Sequence, residues 1–239
     1  MNDYNAFAQN QYPAKFSALL QIDEAQADRP EVLAEFDRAA GRLGLKGVYY
    51  AQDFSRHGYA RNLDHADFGA FWDRVGAAKL PVFIELSGTP SYDRAGYIGN
   101  LLALDRVIQR LPRTRFLLVM GPPAAHFAAK GSWEFPPEVL AAYKRDNLQL
   151  EVMFPITWGG RWDYPYPEAQ ELIRGMRDLF GAGKLVWGSD MPNVERFCTY
   201  RQSLDYVRNY RSFFTIAEKE QVLGRNAAEL IDLAAQPAG

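Results

Sequence analysis

Two carboxylates in this sequence close short apolar runs. Asp190 ends Leu185-Val186-Trp187-Gly188-Ser189, and Glu85 ends Val82-Phe83-Ile84. A short apolar run that meets a polar residue and then a Gly or Pro turn reads as a buried strand with a polar tip. In α/β proteins the carboxyl ends of parallel strands are where catalytic side chains collect. A carboxylate at such a tip can give or take a proton as a general acid or base, or ligate a cation. It can equally be a hydrogen-bond acceptor that ties a loop to the strand, and both readings stand for Glu85 and Asp190.

Two loops offer substrate contacts. Arg56 and His57 lie between Asp53 and Gly58, where they could hold a carboxylate or phenolate, or be solvated surface charges. The segment Thr157–Pro167 carries Trp158, Arg161, Trp162, Tyr164 and Tyr166. Such a loop can form an apolar lid with one cation, suited to an aromatic or cyclic acid, or an aromatic plug. Asn193, Glu195 and Arg196 follow Asp190 closely enough to reach the same mouth, and Glu151 sits inside a strand run as a structural partner. The histidines are His57, His65 and His126, and none forms H-x-H or H-x-x-x-H. Cys198 is the single cysteine, so there is no internal disulfide or cysteine zinc cluster. No G-x-G-x-x-G or G-x-x-x-x-G-K-[ST] follows a strand, which leaves nicotinamide and P-loop readings unsupported.

The elements that must position these residues repeat. Strands are expected at Phe16–Ile22, Leu45–Ala51, Pro81–Ser87, Arg115–Met120, Leu148–Phe154 and Lys184–Ser189, with helical periodicity in every gap. Asp28 and Glu31 form a capping-box pattern around Pro30, Asp67 is placed to cap the next helix, and Pro167 opens one with Leu172, Ile173, Met176 and Leu179 on one face. Thr215 and Glu218 make a second capping box, and Gly224 is expected to end that helix. Residues 1–15 read as a frayed start or a helix end. Six βα units imply an α/β fold with a parallel sheet. No linker or composition shift divides the chain, so one domain over 1–239 is expected.

Trp187-Gly188-Ser189-Asp190-Met191-Pro192, with Gly224-Arg225-Asn226-Ala227 about thirty residues on, resembles the C-terminal signature of the amidohydrolase-related family. The resemblance implies a TIM-barrel-like (β/α) fold and a metal-dependent hydrolase or decarboxylase. It makes Asp190 the end of the last barrel strand, where it binds metal or handles the proton of attacking water. It also implies a divalent metal, zinc or manganese. The remaining family ligands are replaced: Glu85 stands where Pro-Val-x-x-His would end, and Met120 or Gly121 where the next strand would carry His-x-Gly. A first strand with His-x-His and a second strand would precede Phe16. The expectation is therefore an incomplete barrel of six units. Its exposed edges would be covered by the N-terminal segment, a second copy or a partner chain.

Composition narrows the classes. With 239 residues and 48% hydrophobic content the chain can bury a sizeable core. A net charge of −2 gives no nucleic-acid signal. No apolar run approaches a membrane span, and no signal peptide opens the chain, so a cytoplasmic protein is expected. Two functions follow. One is hydrolysis or non-oxidative decarboxylation of a small cyclic or aromatic carboxylate, with Asp190 and Glu85 catalytic. Arg56, His57, Trp158, Arg161 and Trp162 would then bind substrate. The other is a degenerate, non-catalytic subunit that completes or stabilises a metal-bearing partner.

Overall fold

The computed structural model describes residues 1–51, 61–86, 93–153, 164–210 and 212–233. Its strands are β1 (Leu19–Leu20), β2 (Gly47–Ala51), β3 (Val82–Glu85), β4 (Phe116–Leu118), β5 (Ala128–Ala129), β6 (Ser132–Trp133), β7 (Leu148–Val152) and β8 (Leu185–Trp187). Six form one sheet in chain order, β1-β2-β3-β4-β7-β8. Pairing is parallel from β1 through β4 and between β7 and β8. All six strands fall within the segments expected from sequence, though each is shorter. β5 and β6 are an antiparallel hairpin turned by Lys130 and Gly131, both with positive φ, which the residue pattern alone did not place. No helix among the described residues is long and apolar enough to cross a membrane.

The chain divides into two compact units, Met1–Val119 with Arg145–Leu148, and Met120–Lys144 with Gln149–Gly239. In the first, β2 and β3 alternate. Val48, Tyr50, Val82 and Ile84 are buried, whereas Tyr49, Ala51, Phe83 and Glu85 on the other face are half-buried. Tyr50 packs its ring on Phe71 and Trp72 of helix α3 (Gly69–Ala78), at 5.9 and 5.3 Å between centroids. Phe36 of α2 (Pro30–Asp37) meets Phe71 edge-on at 5.6 Å. Trp72 Nε1 donates to Leu63 O at 2.7 Å, so the buried indole keeps its polar atom satisfied. Helix α4 (Arg94–Arg110) carries Leu101, Leu104, Val107 and Ile108 into the core.

The N-terminal residues form a helix, α1 (Asn2–Gln11), and it is inverted relative to an ordinary surface helix. Its inward face is polar. Asn2 exchanges two hydrogen bonds with the Gln21 backbone, at 2.9 and 2.8 Å. Asn5 Nδ2 donates to Leu19 O at 2.9 Å, and Gln9 Oε1 accepts from Ala18 N at 3.0 Å. Successive strand residues point their backbone groups to opposite sides, and Ala18 O bonds Lys46 N on the β2 side. Leu19 and Gln21 therefore face the open edge, where the helix amides take the place of a further strand. This supports the expectation that the N-terminal segment covers that edge.

In the second unit, β8 packs with α7 (Pro167–Phe180), which buries Leu172, Ile173 and Met176. Leu179, expected on the same face, is exposed. Helix α8 (Tyr200–Arg208) begins with a reciprocal Thr199–Gln202 capping box. The Thr215–Glu218 box opens α9 (Ile216–Glu220) as expected. Gly224 does not end that helix: the backbone runs through a π turn, Gln221–Arg225, into α10 (Asn226–Leu230). Two other caps differ from expectation. α2 starts at Pro30, with Arg29 at its N-cap position and no side-chain cap. Asp28 instead pairs with Arg61, at 2.9 and 3.0 Å. His65, rather than Asp67, caps the turn before α3, its Nδ1 accepting from Asp67 N at 3.3 Å.

Candidate active site

Asp190 stands three residues beyond the end of β8, in the left-handed region at φ 52°. Aspartate tolerates this conformation better than most residues, and it turns the chain sharply out of the strand. Asn193 Nδ2 donates to Asp190 Oδ2, and Val194 N donates to Asp190 O at 3.0 Å. The carboxylate is thus fixed by its own turn and remains half-buried. Of the two charged residues expected to reach this mouth, Glu195 is exposed, and Arg196 lies 5.3 Å over the Phe197 ring.

A second carboxylate belongs to the same unit. Glu151 of β7 accepts from Met120 N through Oε2 at 2.7 Å, and its Oε1 lies against Gly188. A Cβ at position 188 would stand 1.8 Å from that oxygen, so glycine in the W-G-S-D run is what gives Glu151 its seat. Gly121, at φ 61°, brings its Cα close to Glu151 O, where a Cβ would stand at 2.4 Å. In sequence Glu151 has only a structural part to play, and nothing there shows its carboxylate leaning on the Asp190 strand.

Sulfur side chains pack around Val194, four residues after Asp190. Met153 and Val194 are buried together, with Met120 and Cys198 against them. Tyr166, expected in either a lid or an aromatic plug, is buried. It hydrogen-bonds Cys198, and burial, with the neighbouring thiol, pushes its phenol up to about 12. Burial also raises the Cys198 thiol above its ordinary value, which keeps it protonated and poorly nucleophilic. Tyr166 meets Tyr206 edge-on at 5.8 Å, and Tyr206 OH donates to Met153 O. Tyr164 meets Tyr210 edge-on at 5.5 Å. Trp187 Nε1 donates to Ser203 O at 3.1 Å, pinning β8 to α8.

The far signature residue is structural. Asn226 is 3% exposed, and its Nδ2 donates to Ala182 O at 2.8 Å and Leu185 O at 2.7 Å. Val186 pairs with Glu151 in β7, and Gly188 N bonds Val152 O. By alternation Leu185 turns its carbonyl the other way, to the open edge of β8, where the Asn226 amide meets it. Each edge of the sheet is therefore capped by side-chain amides.

Glu85 belongs to the first unit and ends β3, level with Ala51 in the register. Tyr49 OH donates to Glu85 Oε2 at 2.5 Å. Glu24, which carries no sequence signal, accepts from Ala51 N at 3.1 Å. It supplies the acceptor that β1 would offer had it continued past Leu20. Arg56, His57, Trp158, Arg161 and Trp162, the expected substrate contacts, lie outside the described residues. His126 is on the short helix α5 (Ala124–Phe127), edge-on to Phe127.

The amidohydrolase family pattern matches residues 2–233, and the chain belongs to that family. No curated protein matches its sequence. Several solved structures match its fold. 5-Carboxyvanillate decarboxylase from Sphingomonas paucimobilis is 16% identical, with a TM-score of 0.69 over 98% of this chain and 71% of that one. A probable 2-pyrone-4,6-dicarboxylic acid hydrolase from Acinetobacter baumannii, with citric acid bound, is 18% identical. Its TM-score is 0.70 over 97% of this chain and 78% of that one. A dihydroxybenzoic acid decarboxylase from Polaromonas sp. JS666, with manganese and 2-nitroresorcinol bound, is 18% identical. Its TM-score is 0.65 over 97% and 74%. The likeness establishes the parallel βα fold of the amidohydrolase TIM barrels.

The described residues do not fit a metal of the kind this family implies. No group of three or more His, Cys, Asp or Glu among them could hold an ion. The Asp190 and Glu85 carboxylates each accept one hydrogen bond, from Asn193 Nδ2 and Tyr49 OH.

Proposed function

We propose that this chain transfers protons at a small cyclic or aromatic carboxylate, in a non-oxidative decarboxylation or a hydrolysis, with Asp190 as the general acid–base. The observation that carries the reading is the Asp190 turn. A half-buried carboxylate stands just beyond a parallel strand's carboxyl end, held by Asn193, with Val194 N bonded to the Asp190 carbonyl. The substrates for which the neighbours are named, 5-carboxyvanillate, dihydroxybenzoate and a pyrone dicarboxylic acid, support the substrate class. In decarboxylation the Asp190 acid gives its proton to the ring carbon bearing the carboxylate. The C–C bond breaks, carbon dioxide leaves, and water returns the proton to Asp190. In hydrolysis the Asp190 carboxylate takes a proton from water as its oxygen adds to the carbonyl, then passes it to the departing oxygen. In either case Asn193 orients the carboxylate.

A second reading, a non-catalytic subunit, is favoured by the poor fit of the described residues to a metal centre. One experiment separates the two. Purified protein is incubated with 5-carboxyvanillate, 2,6-dihydroxybenzoate and 2-pyrone-4,6-dicarboxylate, each with and without added manganese or zinc. Carbon dioxide and ring-opened acid are then measured. Release of either product supports the enzyme. No product with any of the three under any condition supports the subunit.

A further inference from the structure

The Asp190 turn is anchored at both ends. Downstream, Asn193 Nδ2 and Val194 N bind it. Upstream it departs from Gly188, which is held twice. Gly188 N donates to Val152 O at 3.2 Å. Its Cα faces Glu151 Oε1, which stands 1.8 Å from where a Cβ would be. The other oxygen of that carboxylate accepts from Met120 N at 2.7 Å. Resting on the reading of Asp190 as the general acid–base, we propose that Glu151 is a positioning residue for it. The Glu151 carboxylate, wedged between Met120 and Gly188, fixes the point from which the Asp190 turn leaves β8.

Reach carries the role. Glu151 is level with Val186 in the β7–β8 register, so Gly188 lies two residues further along β8 and on the same face. Two strand residues advance roughly 6–7 Å. The two methylenes of glutamate carry the carboxylate up to that level, where aspartate would fall short. Backbone conformation points the same way. Met120, at φ 65°, and Asp190, at φ 52°, both stand in the left-handed region. Residues other than glycine persist there where their surroundings fix them. Glu151 bonds the backbone N–H of the first and seats the glycine two residues before the second.

Three variants separate reach from charge. Glu151→Gln keeps the length and can still accept from Met120 N. Glu151→Asp keeps the charge but is one methylene short, and Glu151→Ala has neither. For a substrate that the wild type turns over, kcat is expected to fall about 10–10²-fold in the Asp and Ala variants, the cost of a misplaced catalytic group. KM should change little, and Glu151→Gln should recover most of the loss. In an Asp190→Asn background Glu151→Ala is expected to lower kcat no further, because it acts through Asp190. A kcat that follows charge, with Asp active and Gln impaired, or that falls in no variant, overturns the proposal. Amide hydrogen exchange gives a readout that needs no turnover. Val194 N–H, on Asp190 O, is expected to lose protection in the Asp and Ala variants and to keep it in Gln. Ser203 N–H, on Thr199 O at 3.0 Å in α8, is expected to keep its protection in all three. Unchanged protection at Val194 overturns the proposal. So does an equal loss at Val194 and Ser203, the mark of a generally loosened fold. Should Glu151→Ala misfold by circular dichroism, Glu151→Asp decides. A wild type that turns over no substrate contradicts the acid–base reading, and exchange at Val194 then decides the positioning by itself.

Discussion

Glu151 Oε1 occupies the space in which any side chain at Gly188 would have to begin, 1.8 Å from the nearest possible Cβ. The glycine two residues before Asp190 is therefore required by a neighbour on β7. Gly188→Ala is expected to force the Glu151 carboxylate off Met120 N and destabilise the protein by roughly 1–3 kcal/mol, the usual cost of overpacking. In a Glu151→Ala background the same change should lose most of that cost, because the obstructing atoms are gone. Urea unfolding of the four proteins gives the coupling directly, expected at about 0.5–3 kcal/mol. Equal costs in both backgrounds contradict the relationship.

Asn226 satisfies two backbone carbonyls at once, Ala182 O and Leu185 O, in a buried setting. Asn226→Leu strands both, and each buried unsatisfied acceptor costs roughly 1–3 kcal/mol. Asn226→Asp removes both donors and adds a buried acid, so it should be at least as damaging. Denaturant midpoints measure both variants. A loss under about 0.5 kcal/mol in either would show that this amide does not hold the β8 edge.

The β1 edge gives a prediction about solubility. Asn2→Ala with Asn5→Ala removes the amides that occupy Leu19 and Gln21. Freed strand edges template pairing with other chains. The double variant should lose about 1 kcal/mol per hydrogen bond and scatter light sooner on mild heating. Stability and scattering unchanged from wild type would mean that α1 is not what closes the edge.

The pH response follows from paired acids. The Arg61 guanidinium holds the Asp28 carboxyl below its ordinary 3.8, and Arg38, with Asn2 assisting, holds Glu35 below 4.5. A depressed folded-state pKa contributes stability above the unfolded value, and that contribution is lost as pH falls through the folded value. Wild type should thus be more stable than Asp28→Asn at pH 7. The gap should close as pH drops below about 3.8, and it should narrow in high salt because both partners are partly exposed. A gap independent of pH contradicts the ion-pair account. It would leave the loss to the packing of the substituted amide alone.

Much of this architecture could be read from the residues. Val82-Phe83-Ile84 and Leu185-Val186-Trp187 announced strands because an apolar run bounded by Pro or Gly has few other uses. The Thr215–Glu218 box was legible because a cap is a local contact. What was hidden depends on tertiary partners. Helix α1 looked frayed because Asn2, Asn5 and Gln9 are polar, and only the open edge of β1 explains why polar residues face inward. Glu151 looked like an ordinary strand acid until Gly188 placed it beside the Asp190 strand. Glu24 had no sequence signal, since its role exists only because β1 stops at Leu20. Asn226 did carry one, in Gly-Arg-Asn-Ala, but a motif does not say whether its residue binds substrate or backbone. The Asp28 cap was misplaced because an arginine 33 residues away competes for the same carboxylate.

Asp190 is the residue on which the functional account depends, and Asp190→Asn tests it most directly. The change keeps size and shape and removes only the ability to carry a proton. Turnover of whichever cyclic or aromatic carboxylate the wild type accepts is measured for both proteins, with circular dichroism and urea midpoints as controls for folding. The account predicts a folded variant whose kcat falls by about 10²–10⁴-fold, the range for loss of a general acid–base, with KM little changed. A folded Asp190→Asn protein that turns over substrate at the wild-type rate contradicts it.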